Sequence, residues 1–216
     1  RPPPAGPGPV WASGRRGAAY SGAVTLPAFP GLDSLPVEGH THLVAPAVAA
    51  VLAAHPYLAA RLAVVEIDPG SADTEAMTTA YDLPLPASAN CVVISGRRDG
   101  VERIAACVVA ADTRADVNNL AKRRLDVRKA SFHPMDRAVA ETGMEYGGIT
   151  PIGLPPQWRL FVDARLLGQE KAIIGSAASQ IGPVQWSFVS DQKLGTAKAA
   201  SGTSVKTITN RRRRRS

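Results

Sequence analysis

The chain has 216 residues, 45% of them hydrophobic, with a formal net charge of +7, enough for one domain with a sizeable core. No uninterrupted apolar run approaches the roughly 20 residues of a membrane helix, and the Pro- and Gly-rich first residues lack the apolar stretch of a secretory signal. Two cysteines, Cys91 and Cys107, make no disulfide framework, so a reduced, cytoplasmic setting is expected.

The positive charge belongs to the ends. Between Pro36 and Ser176 stand 14 Lys/Arg and 16 Asp/Glu, whereas the flanks hold 11 basic and 2 acidic residues, with Arg211 to Arg215 in one run. Such a run attracts nucleic acid without sequence preference, and it reads equally as a solvated tail.

In chain order, residues 1–36 are rich in Pro, Gly, Ala and Ser and are expected to be disordered or loosely packed. The Ala- and Leu-rich stretch from Ala45 is helical, with Pro46 in its first turn and Pro56 interrupting it. Leu62 to Asp68 reads as a short β-branched strand. Asp73 is placed to cap a helix over Thr74 to Tyr81. Asn90 to Ser95 and Glu102 to Ala111, joined by a turn, read as a hairpin of two largely buried strands. Asp116 caps a helix whose apolar face is Val117, Leu120 and Ala121. Val127 to Phe132 is expected as a strand. Pro134 opens a helix that runs to about Thr142 and stops at Gly143. Two more strands follow, in "RLFVDA" and "KAIIG". After Ser176 the period is lost, and residues 177–216 are expected to form an atypical, poorly ordered basic tail. Interleaved strands and short helices, together with a hairpin, argue for a mixed sheet in an α+β domain.

Few motifs carry chemistry. There is no phosphate loop, no strand-linked GxGxxG and no Gly-x-Ser-x-Gly elbow. His40 and His42 lack further ligands at metal spacing, so no metal and no cofactor is expected. His133 precedes Pro134, and a helix start explains it without catalysis. There remains "MEYGGITPIGLP", Met144 to Pro155. Glycine lets backbone approach a ligand closely, and the proline fixes the exit of the loop. Alone, the cluster reads as a helix-to-strand connection.

Its setting is more specific. A helix ending in Thr142-Gly143 leads into Gly147-Gly148-Ile149-Thr150-Pro151-Ile152-Gly153, then a strand carrying Val162-Asp163, then a strand closing in Gly175 and Ser176. Over roughly residues 45–176 this resembles the YbaK family, also called the prolyl-tRNA synthetase-associated domain. The resemblance implies an α+β domain with a mixed, barrel-like sheet of six or seven strands. It implies a deacylase that acts in trans on the ester of a mischarged tRNA. Its partner would be tRNA, met at the 3′ aminoacyl end, whether the chain works alone or docks on an aminoacyl-tRNA synthetase. No membrane partner is implied. The loop residues Gly147, Gly148, Ile149, Thr150, Pro151 and Gly153 would line the pocket through their backbone groups. Thr74 matches a pocket-facing hydroxyl, and Gly175 and Ser176 match substrate-binding positions at the end of the last family-like strand. Two departures stand out. Cys91 occupies the position of a lysine that contacts the substrate end in many relatives, and the family pattern stops after Ser176. These leave a second reading: a non-catalytic domain that keeps the pocket and binds tRNA or an aminoacyl or nucleotide ligand.

Overall fold

The computed structural model describes residues 28–68, 71, 74–178, 182–189 and 205–208, without the side chains of Thr74 or of Ser176 onward. The capping residue Asp73, residues 1–27 and the arginine run at 211–215 lie outside the described residues.

The middle of the chain forms the expected elements. Strand β2 is Leu62–Glu66, helix α1 is Pro46–Ala54 and the single turn α2 is Pro56–Ala59. Pro46 and Pro56 each sit in a first turn, where a missing N–H costs nothing. Helix α3, Thr74–Ala80, precedes the long hairpin of β3, Ser88–Arg98, and β4, Val101–Ala110. Asp99 and Gly100 turn the hairpin with φ of 52° and 80°. That is the two-residue geometry whose twist matches the strands, and only residues tolerant of positive φ supply it. Asp116 caps a π-helical turn, Val117–Ala121, by accepting the N–H of Asn119 at 3.1 Å. The chain continues as α4, Lys122–Leu125, and leaves it through Asp126 in the left-handed conformation.

Strand β5 is shorter than expected, Ala130–Phe132 rather than 127–132. The register of β5 on β3 would set Lys129 opposite Arg97. Instead Arg128 donates to the carbonyl of Arg97 at 3.3 Å. One extra residue therefore bulges out and ends the ladder. Helix α5, Met135–Thr142, stops at Gly143 with φ 65°, whose N–H bonds Val139 O. Strands β6, Arg159–Asp163, and β7, Lys171–Ala178, complete the expected set.

Three further strands enlarge it. The short β1, Leu35–Pro36, pairs with β2; β8, Gly182–Val189, lies between β2 and β7; and β9, Val205–Ile208, pairs with β6. Among the described residues the sheet has nine strands in the order β1-β2-β8-β7-β3-β4-β6-β9, with β5 beside β3. Parallel pairs (β3–β7, β4–β6, β6–β9) mix with antiparallel ones. The mixed sheet of an α+β domain is as expected, with nine strands among the described residues where about six or seven were expected. Residues past Ser176 had no strand pattern strong enough to be read, yet β8 joins both halves of the sheet. At the other end, Phe29 and Leu32 are buried with Met77, Leu83 and Ile173. The packed chain thus begins before residue 36, because two apolar anchors sit inside a Pro- and Gly-rich stretch.

Alternation along β3 divides the core. Ala89 and Val93 face a main cluster with α1, the 144–154 loop and the fully buried Trp158, and Cys91 packs against it. Val92 and Ile94 face a second cluster with Leu125, Val127 and Phe161. No helix among the described residues is long and apolar enough to cross a membrane.

Candidate functional site

A cavity of about 450 Å³ opens beside β3, where β7 and β5 fail to meet. β7 pairs with β3 only at Ser88 and Ala89, whereas β5 pairs with it from Ile94 onward. Between them the edge of β3 is uncovered, and Asn90, Cys91 and Val92 line the cavity. Gly175 of β7, Met77 of α3 and Phe132, His133 and Met135 also line it. Tyr146, Gly147 and Ile149 close it from the loop after α5. Among the described residues no Lys, Arg, Asp or Glu lines it.

The loop is held from behind. Thr142 Oγ1 donates to Ala138 O at 2.7 Å and accepts from Met144 N–H at 3.2 Å. Gly147 turns with φ 76°, and Gly148 donates its N–H to Glu145 O at 3.0 Å. Gly148, Ile149 and Thr150 are then buried, with the Thr150 N–H directed at Met144 Sδ, 3.4 Å away.

The residues expected at the site therefore separate. Cys91, Gly147, Ile149 and Gly175 come together on the cavity. Gly148, Thr150, Pro151 and Gly153 are not among its lining residues. Gly153, at φ 81°, lies against α1, where a Cβ would stand 2.8 Å from the Ala47 carbonyl carbon. It is a packing glycine. The side chains of Thr74 and Ser176 are not among those described, although Met77, one turn on from Thr74, and Gly175 both line the cavity.

His133 was read from sequence as a helix start alone, and the structure adds a place on the cavity wall. Its side chain is fully buried, edge-on to Trp158 with ring centroids 5.9 Å apart. Its Nε2 lies 3.4 Å from Glu141 Oε1, and neither ring nitrogen has a hydrogen-bond partner among the described residues. Arg137 grips Glu102 with two nitrogens, at 2.8 and 3.0 Å, and Glu141 at 2.8 Å. The hydrogen bonds from Arg137 hold the Glu102 carboxyl below its ordinary value. The sequence also gave no reason to single out Phe132, Met135 and Tyr146, which stand exposed at the mouth. Exposed apolar side chains are common one at a time, and their grouping depends on tertiary contacts.

Cys91 is half-buried and Cys107 buried, and both thiols are free. Burial, and secondarily Cys107 nearby, pushes the Cys91 thiol far above its usual range; burial pushes Cys107 up to about 12. Reaction needs the thiolate, so the upward shift disfavours Cys91 as a nucleophile at neutral pH. Both cysteines are expected to alkylate with iodoacetamide at pH 7.5 much more slowly than free cysteine, and to match it only on unfolding. Elsewhere, His40 and His42 face each other with centroids 6.1 Å apart, His40 bonding Pro36 O through Nδ1 at 2.8 Å. Among the described residues no group of three or more His, Cys, Asp or Glu is disposed to hold a metal.

Comparison with known proteins adds a family and a fold. The sequence profile of an aminoacyl-tRNA editing domain matches residues 68–180, a little over half of the chain. Two solved structures superpose with a TM-score of 0.55. One, a scaffold protein from computational epitope grafting, is 19% identical and is matched over 75% of this chain and 96% of its own. The other, described as a candidate trans-editing enzyme for prolyl-tRNA synthetase, is 18% identical over 76% of this chain and 97% of its own. At such identities the likeness bears on the fold. No curated protein matches the sequence.

Proposed function

The chain belongs to the aminoacyl-tRNA editing domain family, and from that premise we propose that it hydrolyses, in trans, the ester joining a wrong amino acid to the 3′ end of tRNA. The observation that carries this reading is the cavity itself. Its volume suits a nucleoside with a small acyl group. Its wall is formed by β3 and the glycine loop, with no Lys, Arg, Asp or Glu among the described lining residues. An aminoacyl ester is already activated, so a positioned water and a stabilised oxyanion suffice. The water adds its oxygen to the acyl carbon, and the ribose oxygen leaves with a proton. No protein nucleophile is required, consistent with the neutral Cys91 thiol.

The mouth supports a nucleic-acid ligand. Phe132, Met135 and Tyr146 form an exposed apolar collar, and unpaired bases stack on aromatic faces whatever their identity. Tyr146→Ala is expected to weaken tRNA binding by about 1–3 kcal/mol, the usual worth of one stacked base. It should leave the thermal midpoint unchanged, since Tyr146 is 75% exposed. Such an activity belongs in the cytoplasm, where tRNA is charged. The decisive experiment incubates the protein with a panel of mischarged tRNAs. Release of amino acid from at least one, above the rate in buffer, is expected; none on any would sink the reading.

The absence of Lys, Arg, Asp and Glu among the described lining residues favours one other reading, a domain that binds the tRNA end without turnover. It predicts retention of an adenosine analogue with no hydrolysis, and a gain of hydrolysis in Cys91→Lys.

A further inference from the structure

The register of β3 leaves one main-chain rung facing the cavity. The carbonyl of Val93 turns to the β5 edge, where it accepts the N–H of His133 at 2.9 Å. The carbonyl of Ser88 turns to the opposite edge, where it accepts the N–H of Ala111 at 2.7 Å. Peptide groups alternate between the two edges of an extended strand. Ala89, Cys91 and Val93 therefore direct both N–H and C=O away from β4. Opposite Ala89 lies Ile174 of β7, and opposite Val93 lies His133. β7 runs on to Ala178 but pairs with β3 no further than Ala89, so among the described residues no strand pairs with Cys91 on that edge, and Cys91 lines the cavity there.

An N–H and a C=O side by side on a strand edge match the donor and acceptor of one residue, as in the hydrogen-bonded pair of an antiparallel ladder. An aminoacyl ester presents that complement: an α-amino group that donates and an acyl oxygen that accepts. The opening admits a single residue, because β7 closes it at Ala89 and β5 at Val93; a peptide strand would need a longer edge. We propose that the main chain of Cys91 is the docking rung for the aminoacyl group, its N–H donating to the acyl oxygen and its carbonyl accepting from the α-amino group. The identity of the ligand rests on the deacylase reading above. The contact also serves the reaction. When water adds to the acyl carbon, negative charge develops on the oxygen that the N–H already faces. The Cys91 side chain meanwhile packs against the main core, so a cysteine in place of lysine leaves the rung intact.

The test titrates ¹⁵N-labelled protein with 3′-alanylamino-3′-deoxyadenosine, an amide analogue that resists hydrolysis. The Cys91 amide is expected to shift among the most, and to stay still with adenosine alone. Removing the α-amino group (the propionylamino analogue) should weaken binding tenfold or more. If other amides move and Cys91 does not, or if nothing binds, the rung is overturned, while the deacylase reading stands or falls on the mischarged-tRNA panel. Binding at Cys91 without hydrolysis of any mischarged tRNA would end the deacylase reading and leave the rung standing. On an active protein, exchanging the Cys91 amide for an ester should lower kcat about 10²–10³-fold, the cost of losing one oxyanion donor; a kcat that the exchange leaves unchanged would overturn the proposal.

Discussion

Gly153→Ala should lower the thermal unfolding midpoint by roughly 10 °C, corresponding to about 3–4 kcal/mol in a chain of this size. Two costs combine. Gly153 has φ 81°, a conformation that costs a residue with a Cβ about 1–2 kcal/mol. The added Cβ would also stand 2.8 Å from Ala47 C and 2.9 Å from both Ala47 O and Val48 N. These are backbone atoms of α1, which cannot turn aside as a side-chain tip can, and overpacking of this kind costs about 1–3 kcal/mol. Gly147→Ala is the control. At φ 76° it carries the same conformational cost, but nothing lies within 4 Å of the added Cβ, so about 1–2 kcal/mol is expected. Scanning calorimetry of the two variants separates the effects. Equal midpoints would show that contact with α1 contributes nothing at position 153.

That pair also marks how far the sequence could be read. The order of helices and strands from Ala45 to Ser176 was legible because hydrophobic period, prolines in first turns and Gly143 as a stop all act locally. The glycine loop was legible as a unit, but the duties of its members were not. Gly147 and Ile149 reach the cavity while Gly153 packs on α1, and a motif in one dimension cannot separate them. Strand β8 went unseen because its pattern is weak and its place is set by pairing with two strands distant in sequence, β2 and β7. His133 went unseen for a similar reason. A histidine before a proline looks like a helix entry, and the carboxylate and tryptophan beside it come from later in the chain.

Cys91 changes most on passing from sequence to structure. As a side chain, it stood for a lost lysine and for doubt about activity. Within the fold, its thiol is held neutral by burial, and its peptide group faces the cavity with no strand opposite. On the proposed reading the ester meets backbone, which substitution of the side chain does not remove. The same holds for the wall built by the loop: what the cavity offers is set by where strands stop pairing.

The stop on the β5 side can be tested at a distance from the cavity. Gly96→Ala is expected to destabilise the protein by roughly 3–5 kcal/mol and to weaken ligand binding as well. An added Cβ at Gly96 would stand 2.3 Å from the carbonyl oxygen of Lys129 and 2.7 and 2.9 Å from Val127 Cγ2 and Cβ. Ordinary contact begins near 3.4 Å, so the 127–129 segment must move by about 1 Å. Overpacking costs about 1–3 kcal/mol, and each ladder hydrogen bond lost between β3 and β5 adds about 0.5–1.5 kcal/mol. Displacing that segment carries Phe132 and His133 with it, and these close the cavity beyond Val93. Widening the opening would lose the fit to one residue, so affinity for the alanylamino-adenosine analogue should fall in the fraction that remains folded. Gly96→Ala combined with Val127→Ala discriminates between the two clashes. Relief of the side-chain contact alone should recover little, because the Lys129 carbonyl, the nearest atom, belongs to the backbone. Full recovery of midpoint and affinity in the double variant would show that Val127, rather than the closeness of the two chains, sets the edge of the site.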